Sequence, residues 1–289
     1  MPKPYAGPPP ILVGYDASDD AVRALEYAAS VAAATKTMLQ LVYVADDTVV
    51  SSPWGVVFDA SEVQAAARKL LAAAALTANS LGVAKKRIRI KVAIGTPVGV
   101  LAQLSQNCSM VVVGRRAHTS RTHAFSGSTS VGLAGAVRCP LVVVADGPTQ
   151  EEAPIGVALD ADGPGALALE WALGNPLFTG KSIKVVSVCK AAPSRIFWLS
   201  VSQDQVDAAM AGAEAHQAAQ VAGVVARHVD IPDIATEVRY GSPVDELAAF
   251  SETVSVLVIE ADVRFPTYSV GSVARGLMTH AACPLILVK

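Results

Sequence analysis

At 289 residues, 52 % of them apolar, the chain is long enough for two domains, each with its own core. A formal charge of −2 supplies no broad positive field, which sets aside nucleic acid and an anionic membrane surface as partners. No apolar run reaches the roughly 18 residues of a membrane span, so the mean hydropathy of +0.42 reflects Ala and Val suited to strands buried on both faces.

The first ten residues are Pro-rich and lack the apolar core of a signal peptide. Residues 10–15 form an apolar run ending before Asp16, read as a strand. Ser18 is placed to cap a helix with Asp19 and Asp20 in its first turn, and Ala21, Leu25, Ala28 and Ala32 recur at helical spacing. Residues 39–44 read as a second strand. Trp54 and Phe58 follow in a segment that covers a cleft, covers an interface, or simply packs. Residues 61–81 form an Ala-rich helix stopped by Gly82. The cluster Lys85-Lys86-Arg87-Ile88-Arg89 is the solvated approach to a third strand, 87–94. Pro97 opens another helix. A strand at 110–113, a helix at 128–137 and a strand at 141–144 complete the series.

The series then repeats. Asp16-Ala17 recurs as Asp160-Ala161, Leu25-Glu26-Tyr27-Ala28 as Leu169-Glu170-Trp171-Ala172, and Leu41-Val42 as Val185-Val186, each 144 residues on. Gly95-Thr96-Pro97-Val98 recurs as Gly241-Ser242-Pro243-Val244 at 146, while Gly127-Ser128 and Cys139-Pro140-Leu141 return to 144 as Gly271-Ser272 and Cys283-Pro284-Leu285. The polar stretch 146–154 reads as the linker. The expectation is an α/β chain of two tandem doubly wound five-stranded parallel-sheet domains, 1–147 and 154–289. In such sheets ligands bind beyond the carboxyl ends of the strands, where strand order reverses.

Cys108, Cys139, Cys189 and Cys283 show neither C-x-x-C pairing nor zinc-ligand spacing, which fits a reducing compartment and gives no metal site. His216, His228 and His280 are isolated and read as surface or satisfied side chains. No G-x-S-x-G elbow is present, so no catalytic residue is assigned.

Three Gly-containing stretches compete for a phosphate. Gly180-Lys181-Ser182 resembles the end of a P-loop, but Asn175 holds the earlier glycine position and a strand follows instead of a helix. Gly163-Pro164-Gly165-Ala166-Leu167-Ala168 fits G-x-G-x-x-A, yet Pro164 lacks an amide donor. Lys190 also stands where a dinucleotide site needs an acid. It reads as a tight turn and helix start. The third is Gly114-Arg115-Arg116-Ala117, then nine residues, then Gly127-Ser128-Thr129-Ser130. Glycines there admit close backbone approach, and a helix start offers N–H donors and a positive dipole end. Arg115, Arg116, His118, Arg121 and His123 bias the loop positive. From these residues alone, a phosphate loop and a plain strand-to-helix connection with an N-cap serine both remain open.

Val13-Gly14-Tyr15-Asp16-Ala17-Ser18, Val111-Val112-Val113-Gly114, Gly127-Ser128-Thr129-Ser130 and Cys139-Pro140-Leu141-Val142-Val143 together resemble the universal stress proteins, in the tandem form common in actinobacteria. The likeness spans nearly the whole chain in two copies. It implies the adenine-nucleotide α-hydrolase-like fold, arranged as an intramolecular pseudo-dimer in which strands 141–144 and 285–288 meet and close both sheet edges. Association of two chains into a homodimer would then use other faces. Family members that bind ATP carry G-x2-G-x9-G-[ST]; this chain keeps the spacing with Ala117 at the second glycine.

The resemblance implies the following roles. Asp16 bonds the ribose, with Gly14 beside the nucleotide. Val44 and Val113 line the adenine with backbone groups. Gly114, Arg115, Arg116 and Ala117 wrap the phosphates, and Gly127, Ser128, Thr129 and Ser130 hold them at the helix start. The ligand is ATP, with Mg2+ as its companion ion. If Ala117 needs a positive φ, alanine costs about 1 kcal/mol there. The second copy departs further, with Glu260 and Val263 at the glycine positions and a loop two residues shorter, so it is expected to bind ATP weakly or not at all.

The expected function is that of a cytoplasmic adenine-nucleotide-binding stress protein with a regulatory or sensing role. It is not an enzyme, beyond slow ATP hydrolysis. The rival is a pseudo-dimeric interaction scaffold that binds no nucleotide. A Rossmann dehydrogenase, the third reading, lacks the acid that Lys190 replaces.

Overall fold

A computed structural model describes residues 8–45, 60–115, 128–144, 152–163, 166–190, 202–261 and 271–289. The chain forms two compact units that part between Asp146 and Gly147.

The first unit runs β1 (Ile11–Gly14), α1 (Asp19–Thr35), β2 (Leu39–Ala45), α2 (Ala60–Ser80), β3 (Ile88–Ile94), α3 (Pro97–Ser105), β4 (Met110–Gly114), α4 (Ser128–Ala136) and β5 (Leu141–Val144). Its strands lie in the order β3-β2-β1-β4-β5, all parallel. Chain order therefore reverses between β1 and β4, the switch point at which doubly wound sheets open a crevice.

The local signals act as their chemistry requires. The Ser18 hydroxyl accepts the Ala21 amide at 3.1 Å and caps α1. Gly82, at φ +97°, takes the left-handed conformation that ends α2. Thr96 caps α3 by accepting the Gly99 amide at 3.3 Å, and Pro97 supplies its first turn. β1, β4 and β5 are almost wholly buried, with Leu12, Val13, Val111, Val112, Leu141 and Val142 at 0 % exposure, so they carry unbroken apolar runs.

The second unit repeats the plan with β6 (Ile155–Leu159), α5 (Leu167–Gly174), β7 (Ile183–Lys190), α6 (Gln203–Val225), β8 (Ile234–Gly241), α7 (Pro243–Ser251), β9 (Val256–Glu260), α8 (Ser272–His280) and β10 (Leu285–Val288), in the parallel order β8-β7-β6-β9-β10. Among the described residues no helix is long and apolar enough to cross a membrane.

One element departs from the repeat. α1 starts at Asp19, and the equivalent position 144 residues on is Gly163, yet α5 starts at Leu167. Its N-cap, Ala166, sits at φ −130° and ψ 37° with no side-chain hydrogen bond. Gly163, in the place of Asp19, and Ala166 both lie outside α5.

Candidate functional site

In the first unit, pairing of β1 with β4 stops at Val13↔Val112. β2 and β3 stay paired to Ala45↔Ile94, and β4 and β5 to Gly114↔Val144. The crevice opens between the ends of β1 and β4.

In a parallel ladder the N–H and C=O of one residue point to the same side, and successive residues alternate. Tyr15 donates its amide to the Val42 carbonyl at 2.9 Å, so Val42 faces β1. Val44, two residues on, turns its backbone the same way, past the last residue of β1. On β4, the Val111 and Arg115 amides donate to the Pro140 and Val144 carbonyls, at 3.0 and 3.1 Å. Val111, Val113 and Arg115 therefore face β5, whereas Gly114 faces the crevice. Of the two valines expected to meet an adenine through their backbones, Val44 turns its backbone toward the β1 side and Val113 turns its toward β5; Gly114 is the β4 residue whose backbone looks into the crevice. The Val113 side chain does reach Gly14, where an added Cβ would lie 3.1 Å from Val113 Cγ1 and 3.0 Å from Leu101 Cδ1.

The floor is set by the turn after β1. Asp16 is half-buried, and its Oδ1 accepts the Ser18 amide at 3.0 Å and the Ser18 hydroxyl at 2.6 Å. Between them Ala17 sits at φ 64°, the left-handed region that costs a non-glycine residue about 1 kcal/mol. Burial, then the Asp16 carboxylate, raises the Tyr15 phenol above its ordinary 10.0, which keeps it neutral.

Gly114 has a packing role as well. A Cβ there would lie 2.5 Å from the Asp20 carbonyl carbon and 2.6 Å from Asp20 Cβ. Asp20 is 5 % exposed and pairs with Arg23 at 2.6 Å, so the first turn of α1 stands directly against the end of β4. Ser130 is buried, and its hydroxyl donates to the Arg115 carbonyl at 3.5 Å. That contact brings the first turn of α4, with half-buried Thr129 and the backbone of Ser128, beside the end of β4. The first amides of a helix have no partner within it. Gly14, Asp16, Val44 and Gly114 thus stand at the strand ends that border one crevice, with the start of α4 tied beside the end of β4. Arg116, Ala117 and Gly127 lie outside the described residues, as do His118, Arg121, His123, Trp54, Phe58 and Val263. In the sequence Asp20 shows only as a first-turn acid that complements the helix dipole; its place against Gly114 comes from the fold.

The second crevice keeps the turn and changes the chemistry. Asp160 Oδ1 accepts the Asp162 amide at 3.2 Å, as Asp16 accepts that of Ser18. The Gly163 carbonyl accepts from His216 Nε2 at 2.8 Å and Gln220 Nε2 at 3.0 Å, so α6 anchors this loop and His216 is a satisfied histidine. His228 lies 3.1 Å from Glu170 and is satisfied too. Glu260 occupies the place of Gly114, since the Ala261 amide donates to the Val288 carbonyl at 2.7 Å just as Arg115 does to Val144. Cys189, at the end of β7, has its thiol pKa raised by burial first and then by the Asp162 and Glu214 carboxylates. Among the described residues no group of three or more His, Cys, Asp or Glu side chains is placed to hold a metal ion.

The sequence model of the universal stress protein family matches residues 9–145 and again 153–289. The chain belongs to the universal stress protein family. Two curated universal stress proteins of Mycobacterium tuberculosis match it end to end. Rv1996 is 26 % identical, covering 96 % of this chain and 94 % of its own. Rv2005c is 24 % identical, covering 96 % of each. Among solved structures, a universal stress protein of Archaeoglobus fulgidus superposes with a TM-score of 0.70 at 16 % identity, covering 97 % of this chain and 96 % of that one. The tandem architecture of this universal stress protein is thus shared at full length, by fold if not by close sequence.

Proposed function

We propose that the first unit binds ATP or a related adenine nucleotide, and that occupancy serves a regulatory or sensing role in the cytoplasm. The observation that carries this reading is the convergence on one crevice of the Val44 and Gly114 backbones, Asp16 and the start of α4. Backbone groups at strand ends suit the edge of a planar base, a half-buried carboxylate suits a ribose hydroxyl, and a helix start suits phosphate. The chain's residues fit ATP in kind; any Mg2+ would ride on its phosphates. With Glu260 and the carboxylates around Cys189, the second crevice repels a polyphosphate, so one nucleotide binds per chain.

A scaffold that binds no nucleotide is the second reading. Its support is that Gly114 and Ser130 already have roles in packing α1 and tying α4.

Thr129→Glu separates the two. A carboxylate in the first turn of α4 complements the helix dipole and leaves stability within about 1 kcal/mol of the parent, but it opposes phosphate. Calorimetry with millimolar ATP should give one site in the parent and none in the variant, with thermal unfolding of the ligand-free proteins nearly equal. No heat and no thermal shift in the parent would leave the scaffold.

A further inference from the structure

Each unit ends in an edge strand, and the two edges carry opposite charge. β3 closes the first sheet and β8 the second. The Gly95 amide continues the β2 ladder by donating to the Ala45 carbonyl at 3.0 Å, so by alternation Ile90, Val92 and Ile94 turn their backbone groups away from β2. The Ile183 amide donates to the Asp233 carbonyl at 2.8 Å, so Thr236, Val238 and Tyr240 turn theirs away from β7. Both edges offer backbone groups of the kind on which a further strand adds.

Lys85, Lys86, Arg87, Arg89 and Lys91 line the β3 edge, and no acidic residue occurs from Val83 to Thr96. All but Arg87 are exposed. At the matching place in the second unit stand exposed Asp230 and Asp233, with no Lys or Arg from Val229 to Val238. Glu237 and Glu246 add little to that edge, because Lys184 at 2.7 Å from Glu237, and Arg239 at 2.6 Å from Glu237 and 3.7 Å from Glu246, balance them within the unit, so the net charge there comes from Asp230 and Asp233. Each edge also exposes aliphatic surface: Leu81, Ile90 and Ile94 at 43, 45 and 47 %, and Val229 at 88 %.

Charge on an edge strand ordinarily guards against pairing with a like edge. Here β3 repels a second β3, and the β8 edge repels a second β8 edge. The mixed pair is attractive. We propose that the basic β3 edge of one molecule docks on the acidic β8 edge of a second copy. The two surfaces differ, so the contact is heterologous: each docked pair leaves one edge of each kind unused, and association continues past the dimer.

Sedimentation velocity of the full chain tests this at about 20 mM against about 500 mM salt, since screening shortens the reach of exposed charges. The expected result is species larger than a dimer at low salt that dissociate at high salt. Lys86→Glu/Arg89→Glu/Lys91→Glu should weaken association at least about tenfold. So should Asp230→Asn/Asp233→Lys, where Asn is chosen because residue 230 sits at φ 58°. Mixing the two variants should restore pairing as far as a dimer, because the intact acidic edge of one meets the intact basic edge of the other. Equal melting temperatures confirm that both variants fold. A monomer at every salt concentration, an acidic-edge variant that associates normally, or a mixture that stays dissociated would each overturn the proposal. The second of these outcomes would point instead to an acidic partner of another kind at β3.

Discussion

Gly114 shows how a single residue answers to two demands. Its backbone faces the crevice, and its missing side chain makes room for the first turn of α1. Gly114→Ala tests the second demand without a ligand. The new methyl would meet backbone atoms of Asp20 at 2.5 Å, which cannot rotate away. Overpacking of that kind costs about 1–3 kcal/mol. Urea unfolding should show the loss as a lower midpoint at unchanged slope, and a variant as stable as the parent would mean that α1 yields easily. The glycine itself was legible from the sequence, but its reason was not. Asp20 lies far from Gly114 in the chain, and only the fold brings them together. The direction of Val113 was illegible for a related cause: which neighbour a strand residue faces depends on register, which the partner strand sets.

At the scale of elements, periodicity and caps were readable because they are local. Ser18, Gly82 and Pro97 each act within a turn of their own helix, and the alternation of strand and helix pointed to a doubly wound parallel sheet, whose strand order only the pairing of the strands reveals. The late start of α5 was not readable, because it depends on what stands against the helix end. α6 carries a different irregularity. Gly212 and Gly223 lie inside this helix, and a Cβ at either would meet nothing within 4 Å. Glycine in a helix interior costs about 1 kcal/mol relative to alanine. Gly212→Ala should therefore stabilise the protein by about 0.5–1 kcal/mol, read as a higher denaturation midpoint. A loss of stability would show that this helix face meets something in solution.

For the whole molecule, the duplication and the loss of symmetry at the crevices set the expectation. If one crevice of two takes a nucleotide, ATP should slow amide hydrogen exchange in peptides covering β1, the start of α1 and the start of α4. Peptides covering β9 and the start of α5 should be unchanged. Equal protection in both units would refute the one-site reading. The tandem plan was legible from the repeat spacing and the doubly wound sheet from the alternation of strands and helices, since buried parallel strands tolerate few residue types. The sites were less legible, since two crevices built on one plan differ through a handful of side chains.

Glu260 stands exposed where the first unit has Gly114, and Asp162 stands where it has Ser18. Removing either carboxylate alone leaves the other in place. A single exchange of residues between the two halves therefore does not turn one crevice into the other.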